Sequence, residues 1–368
     1  MLEYLYIAFI AIFCIQFIYY ILIFGRFSFS KTKPNSQIFN KPISVLICAK
    51  NEAENLKKNL PHFLEQNYPN FEIVLINDCS KDKTLRVMEQ FKKDFSDTIK
   101  IVDVVANEQF WGSKKYALTL GIKAASNEFL LFSDADCKPI STNWIQEMAN
   151  NFDEKSIVLG YGSYAKIKGS FLNKLIRFET LLTAIQYFSY AKIGVPYMGV
   201  GRNLAYTKST FFKINGFVNH MKIKSGDDDL FINEVATKSN TAICTSTESF
   251  TESNPKTSLK EWIQQKRRHV STASHYKTKH KFLLGLFYSS QLLFWLVAII
   301  LLSFQFNWIF VLTLIFIRQL FLYLSIGYGA KKLNEKDLVL LTPFYELFLI
   351  SIQLLIFIKN LISKPTHW

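Results

Sequence analysis

The chain is short of acidic residues, and its cysteines show no recognisable pattern. Its 368 residues hold 29 Asp and Glu against 43 Lys and Arg, a formal charge of +14, and five cysteines. Cys14, Cys48, Cys79, Cys137 and Cys244 form no CxxC pair and no paired framework. That excludes a disulfide scaffold and predicts free thiols in a reducing compartment. Internal repeats and low-complexity tracts are absent as well. A disordered chain is excluded because 49% of the residues are hydrophobic. His269, His275 and His280 are spaced too irregularly for one helical face, and no Cys or acid joins them, so no zinc site is expected. No nucleic-acid-binding motif accompanies the positive charge, so nucleic acid is not an expected partner.

The apolar content lies in blocks. Residues 5–24 form a run long enough to cross a bilayer, with Gln16 its strongly polar member. It lacks the basic n-region and small-residue cleavage site of a signal peptide. Glu3 precedes it and Arg26, Lys31 and Lys33 follow, so an uncleaved anchor over 1–26 is expected, with the following segment cytoplasmic. Further spans are expected over 282–304 and 308–328, forming a hairpin. A third run, 338–358, is weakened by Thr342, Pro343, Tyr345 and Glu346 and reads either as a span or as an interfacial helix. Arg318 and Glu346 lie inside these runs, where an ion pair within the bundle is the plainest expectation. Residues 256–281 carry eight Lys and Arg against Glu261 and lead into the second span, so a basic interfacial helix in contact with anionic headgroups is expected, with Arg267 outward and Arg268 inward. The closing residues, 359–368, read as a tail.

Between anchor and hairpin, about 40–255, short β-branched runs alternate with helical patterns, which predicts an α/β sheet of parallel strands. Strands are expected over 43–48, 72–76, 99–105 and 129–132, and helices over 53–66, 84–95, 113–125 and 171–192. In open α/β sheets ligands bind beyond the carboxyl ends of the strands. There the chain places Ala49-Lys50-Asn51-Glu52, then Asn77-Asp78, then Asp134-Ala135-Asp136. A single carboxylate after a strand is commonly a helix cap, but acids and amides recurring at successive strand ends point to a site. Asp134 and Asp136 flank a small residue after a buried run. Such paired carboxylates suit a hard divalent cation, Mg²⁺ or Mn²⁺, bridging protein to a nucleotide diphosphate.

At these residues the chain resembles family 2 glycosyltransferases. The stretch 42–55, the turn around Asp78, the helix start Ser113-Lys114-Lys115-Tyr116-Ala117-Leu118 and the run ending in Asp134 and Asp136 resemble that family's donor-site motifs. Residues 199–205, 226–230 and 262–269 are similar to its later acceptor-side and QxxRW motifs. The likeness implies a GT-A fold with membrane helices and an inverting transfer of sugar from a nucleotide donor, UDP-sugar by preference, to a lipid, lipid-linked or polysaccharide acceptor. It implies Ala49, Asn51, Glu52, Asp78 and Lys114 around the nucleotide, and Asp134 and Asp136 at donor and metal, with Asp136 the direct ligand. Gln265, Arg268 and His269 would lie at the diphosphate, and Gly201, Arg202 and Tyr187, with Tyr190 nearby, at the acceptor. Asp227 takes the general-base position if an ED-x-DL pattern is laid on 226–230; a shift of one residue gives Asp228. Two features depart from the family: glycine stands at 226 where Glu is usual, and His269 stands in place of tryptophan. The second weakens the case for a processive polysaccharide synthase, which stays an alternative. A non-catalytic membrane scaffold and a transporter built on Arg318 and Glu346 are the remaining rivals.

Overall fold

The computed structural model describes residues 1–31, 38–105, 114–223 and 225–363. The helices in chain order are α1 (Leu2–Phe17), α2 (Gly25–Ser28), α3 (Ala53–Leu64), α4 (Thr84–Asp94), α5 (Lys114–Ala124), α6 (Trp144–Ala149), α7 (Phe171–Lys192), α8 (Lys208–Lys213), α9 (Asp229–Val235), α10 (Leu259–Thr272), α11 (Thr278–Ser303), α12 (Trp308–Lys332) and α13 (Thr342–Ile362). The strands are β1 (Ile43–Ala49), β2 (Phe71–Asp78), β3 (Ile99–Val104), β4 (Phe129–Asp134), β5 (Cys137–Pro139), β6 (Ile157–Leu159), β7 (Gly162–Tyr164), β8 (Leu204–Thr207), β9 (Thr241–Ile243) and β10 (Thr251–Ser253). The chain divides into two compact units. One is Thr32–Lys166 with Gly194–Lys256; the other is Met1–Lys31 with Ile167–Ile193 and Thr257–Trp368.

The first unit is built on a seven-stranded sheet in the order β3-β2-β1-β4-β8-β6-β9. β1 pairs in parallel with β2 and β4, and β2 with β3. β8 runs antiparallel to both β4 and β6, so the sheet is mixed where the strand alternation alone suggested a parallel one. Every residue of β1 but Cys48 is buried, as expected of an apolar strand covered on both faces. Leu56, Leu60 and Phe63 present one stripe of α3 to the core formed with Val45, Leu75 and Leu131. On the other face α5 approaches closely at Gly121, where an added Cβ would fall 2.2 Å from Ile76 Cδ1. The register sets Ala49 beside Asn77 and Cys48 beside Asp134. The parallel strands therefore end at a common rim, and the acid-bearing turns are brought together there.

The second unit is helical. Four helical stretches, Leu2–Ser28, Thr278–Ser303, Trp308–Lys332 and Lys336–Ile362, are long and apolar enough to cross a membrane. Large apolar side chains such as Ile299, Phe316 and Phe357 point outward from them, a distribution suited to a lipid surround. The first stretch passes through a π-helical segment, Ile18–Ile23. The hairpin between α11 and α12 turns through Gln305 and Asn307, both with left-handed backbone. The last stretch opens with a 3₁₀ turn, Lys336–Leu341, and α13 starts with Pro343 in its first turn. There the missing N–H costs nothing, because the first N–H groups of a helix have no intrahelical partner. The interior holds polar groups that satisfy one another. Arg318 pairs with Glu346, which also accepts from Tyr20 Oη at 2.8 Å and Gln291 Nε2 at 3.1 Å, while Gln16 Oε1 accepts from Arg318 at 2.9 Å. The expected intrabundle ion pair is present.

The basic stretch 256–281 is not one interfacial helix. α10 ends at Thr272, a short 3₁₀ turn (Ala273–His275) follows, and Thr278 already opens α11. Arg267 is half-exposed and reaches the end of α13. Its guanidinium donates to Asn360 Oδ1 (2.9 Å), Ser363 O (2.5 Å) and Ser363 Oγ (2.9 Å). A cation at those last carbonyls is favoured by the α13 dipole as well as by the hydrogen bonds.

Candidate active site

The site forms at the rim of the sheet from residues far apart in sequence. Lys114, in the first turn of α5, donates to Asp134 Oδ1 at 2.8 Å and pairs with Asp227 Oδ2 at 3.1 Å. One ammonium thus joins the acid at the end of β4 to the acid that precedes α9. Burial would lower its pKa, but Asp134 and Asp227 override that and hold it well above the ordinary lysine value. In the same way burial would raise Asp227, yet Lys114 draws it below the usual carboxylate range. Both groups are therefore charged at neutral pH. A cavity beside them is lined by Cys48, Lys114, Ser133, Asp134, Gly201, Tyr206, Asp227 and Asp228.

Asp228 differs from its neighbour. Its two oxygens accept main-chain N–H groups, from Gly201 at 2.7 Å and from Asp229 at 2.7 Å, and it caps α9. Burial, and after it the charges of Asp227 and Asp229, push its pKa up to about 7. Gly226 has φ +91°, a region where a Cβ is strained, and an added Cβ would lie 2.5 Å from Leu230 Cδ1. The departure from Glu at this position thus has a backbone cause: the turn into the acidic run needs glycine.

Asp134, Asp136 and Cys137 offer atoms within 4.8 Å of one another. Burial, then the charges of Asp136 and Asp134, push the Cys137 thiol well above its ordinary pKa, and its sulfur lies 3.0 Å from Ser253 Oγ. A protonated thiol is a poor ligand, whereas the two carboxylates are hard oxygen donors. The set therefore fits Mg²⁺ or Mn²⁺ and does not fit a thiophilic ion. Asn59 Nδ2 donates to Ala135 O at 3.0 Å and steadies the turn between the two acids.

The other donor-side residues line the neighbouring turns. Asn51, left-handed at φ 59°, accepts from Lys81 N at 2.8 Å, and its own N–H donates to Ser80 Oγ at 3.0 Å. These bonds join the turns after β1 and β2. Glu52 lies above the usual carboxyl range through burial, and Asp136 and Asp134 add to that rise, so it shares their field. Asp78 closes β2 with Lys50 Nζ at 3.4 Å, and Ala49 is the buried last residue of β1.

Residues 44–217 match the model of glycosyl transferase family 2. They belong to that family. Among curated relatives, an uncharacterized glycosyltransferase of Haemophilus influenzae is 31% identical over 127 residues, which are 34% of this chain and 37% of that protein. A poly-beta-1,6-N-acetyl-D-glucosamine synthase of Staphylococcus epidermidis is 39% identical over 94 residues, 26% of this chain and 21% of the synthase. The matches thus span 37% of the first relative's length and 21% of the second's. Among solved structures, a mannosyltransferase from Pyrobaculum calidifontis in complex with GDP-Man and Mn²⁺ superposes with a TM-score of 0.58 at 15% identity, over 94% of this chain and 99% of that one. The likeness shows the GT-A fold.

Within this glycosyltransferase fold, the sheet unit brings together Lys114, Asp134, Asp136, Asp227, Asp228 and Gly201. Arg202 holds its guanidinium 4.4 Å from the Tyr164 ring centroid, and its main-chain carbonyl accepts from Thr251 Oγ1 at 2.9 Å. Gln265, Arg268 and His269 lie on α10 of the helical unit, the first two half-buried and His269 exposed. Tyr187 and Tyr190, expected at an acceptor, are interior side chains of α7, and Tyr187 packs on Phe188 with centroids 4.4 Å apart. Ser113 lies outside the described residues. Two contributors escaped the sequence analysis. Asn203 is fully buried and ties Tyr161 O and Ser249 O (2.8 Å each) to Trp144 Nε1 (3.1 Å). Lys115, also buried, donates to three main-chain carbonyls. A signal for Lys115 was present: two lysines in the first turn of a helix oppose its dipole, so they require particular partners.

Proposed function

We propose that the protein is a membrane-anchored, metal-dependent transferase that moves a sugar, with inversion, from a nucleotide-sugar to a lipid or lipid-linked saccharide at the membrane surface. The observation that carries this reading is the convergence of Asp134 and Asp227 on Lys114. Inverting transfer is an in-line displacement, and it needs a carboxylate on the acceptor side and charge compensation at the departing diphosphate. Asp227 supplies the first. It is ionised and faces the cavity, and it takes the acceptor hydroxyl proton as that oxygen attacks the anomeric carbon. Asp228 has both oxygens engaged by main-chain N–H groups and holds the start of α9 in place. Lys114 keeps the two acidic turns in register and lies beside the cavity proposed for the donor. Asp134 and Asp136 would hold a divalent ion, which when bound would supply positive charge at the leaving group. Asn51, Glu52 and Asp78 border the nucleotide. Gly201 and Arg202 are proposed for the acceptor end.

The four apolar stretches support an integral membrane protein, and Arg26 and Lys31 support a cytoplasmic sheet unit. The likeness to poly-beta-1,6-N-acetyl-D-glucosamine synthases favours a processive polymerase as the second reading, against which His269 replaces a stacking indole.

The test is nucleotide release by detergent-purified protein with UDP- and GDP-sugars, in Mn²⁺, Mg²⁺ or EDTA, beside Asp136→Ala. Release with one donor that needs metal and is lost in the variant supports the transferase. Long polymer as product selects the processive reading, and a single added sugar rejects it. Absence of both release and metal-dependent nucleotide binding overturns the enzyme reading and leaves a scaffold.

A further inference from the structure

Lys114 and Lys115 are consecutive residues at the start of α5, so their side chains leave the helix about 100° apart. Lys114 reaches the carboxylates of Asp134 and Asp227. Lys115, only 1% exposed, turns the other way. Its Nζ donates to His220 O at 2.8 Å, Ile223 O at 2.9 Å and Ser225 O at 2.8 Å. An ammonium has three donors, and here each meets one main-chain carbonyl. Ser225 immediately precedes Gly226, whose left-handed turn delivers Asp227 and Asp228. We propose that Lys115 is a positioning residue that clamps the main chain at His220, Ile223 and Ser225, so that one turn of α5 holds the acidic segment twice, by its main chain through Lys115 and by its side chain through Lys114.

Three observations support the clamp. A buried ammonium survives only with full compensation, and all three donors here are used on one short segment. Burial pushes Lys115 down to about 8, with the fields of Asp227, Asp229 and Asp228 opposing that fall, so the group stays charged at neutral pH and offers its third donor. Finally, the same turn of α5 also holds the acidic run by its side chain, Lys114 pairing with Asp227 Oδ2 at 3.1 Å. Without Lys115 the chain leading into Gly226 would lose the three bonds that hold its carbonyls. A carboxylate displaced by about 1 Å can lose roughly 10²-fold in rate.

The role assigned to the clamp rests on the proposed function, but its test does not depend on turnover. Amide hydrogen exchange is measured on purified full-length protein, wild type beside Lys115→Met. The expected result is exchange about tenfold or more faster over 217–230, with β1 and β4 unchanged. If Met at this site prevents folding, Lys115→Gln, which keeps two N–H donors, is measured instead. Unchanged exchange over 217–230 in a folded variant overturns the clamp. In parallel, nucleotide release should lose roughly 10²-fold in kcat while the donor KM and the affinity for UDP or GDP with Mn²⁺ stay within about threefold. A loss carried equally by nucleotide affinity, or an unchanged kcat with a loosened segment, overturns the positioning role. If wild type neither releases nucleotide nor binds it in a metal-dependent way, the transferase reading has failed, and the exchange result still decides the clamp.

Discussion

Lys114 is charged because two carboxylates outweigh its burial, and Asp227 is ionised because Lys114 outweighs its own. Asp228, one residue on, is pushed up to about 7 because burial and its acidic neighbours outweigh Gly201 N–H and Lys114. This difference separates the two possible bases. If Asp227 is the base, Asp227→Asn should lower turnover by roughly 10²–10⁴-fold. Asp228→Asn, which keeps a good helix cap, should cost far less. The pH profile gives a second criterion. With Asp227 as base, kcat/KM stays level from neutral pH down past pH 5, and an acid limb near pH 7 would transfer the role to Asp228. Stability carries a signature of its own. Between its ordinary 3.8 and about 7, Asp228 holds more proton in the fold than in the unfolded chain, so its contribution falls as pH rises through that window. Relative to wild type, Asp228→Asn should therefore melt higher at pH 8 than at pH 5, measured by thermal denaturation in detergent.

At the level of elements, the site depends on how chain segments end. Parallel pairing in register places the ends of β1, β2 and β4 at one rim. Asn51 and Asp82 then tie the turns together, with Asp82 Oδ1 accepting from Thr84 N at 3.0 Å and Asp82 Oδ2 from Ala53 N at 3.3 Å. The start of α9 depends on the turn at Gly226. Restoring the family's usual residue by Gly226→Glu should therefore harm the protein. A side chain at φ +91° costs about 1–2 kcal/mol before the clash with Leu230 is counted. The expected outcome is a lower melting temperature together with loss of nucleotide release; equal or higher activity would show that the turn can rearrange.

Across the whole molecule, the helical unit is organised around a buried charge pair, with Gln16 accepting from Arg318 and with Tyr20 and Gln291 donating to Glu346. Breaking one side of such a pair strands the other charge in an apolar surround, at about 3–5 kcal/mol, whereas removing both is milder. Arg318→Leu should accordingly lower the melting temperature in detergent more than the Arg318→Leu, Glu346→Leu double variant does. If the single variant retains wild-type stability, the pair is not structural, and transport would then be the property to measure on it.

Local pattern alone was enough for much of this protein. An apolar run in β1, an amphipathic stripe in α3 and a 22-residue helix at α7 declare themselves through side-chain periodicity, which needs no partner in space. Runs of about 20 apolar residues announce spans for the same reason, and the strand-end acids were visible as residue types. What a linear reading had no means to supply was reach. The antiparallel insertion of β8 into the sheet depends on non-local pairing. Arg267 was read as a surface cation, yet its partners come from nearly a hundred residues later in the chain. Tyr187 was expected at an acceptor, yet folding closed the interior around it. The separation of Asp227 from Asp228, the need for glycine at 226 and the three carbonyls around Lys115 all depend on distances of a few ångströms between segments remote in sequence. Charge and hydrogen bonding act over such distances, so only the folded chain could settle them.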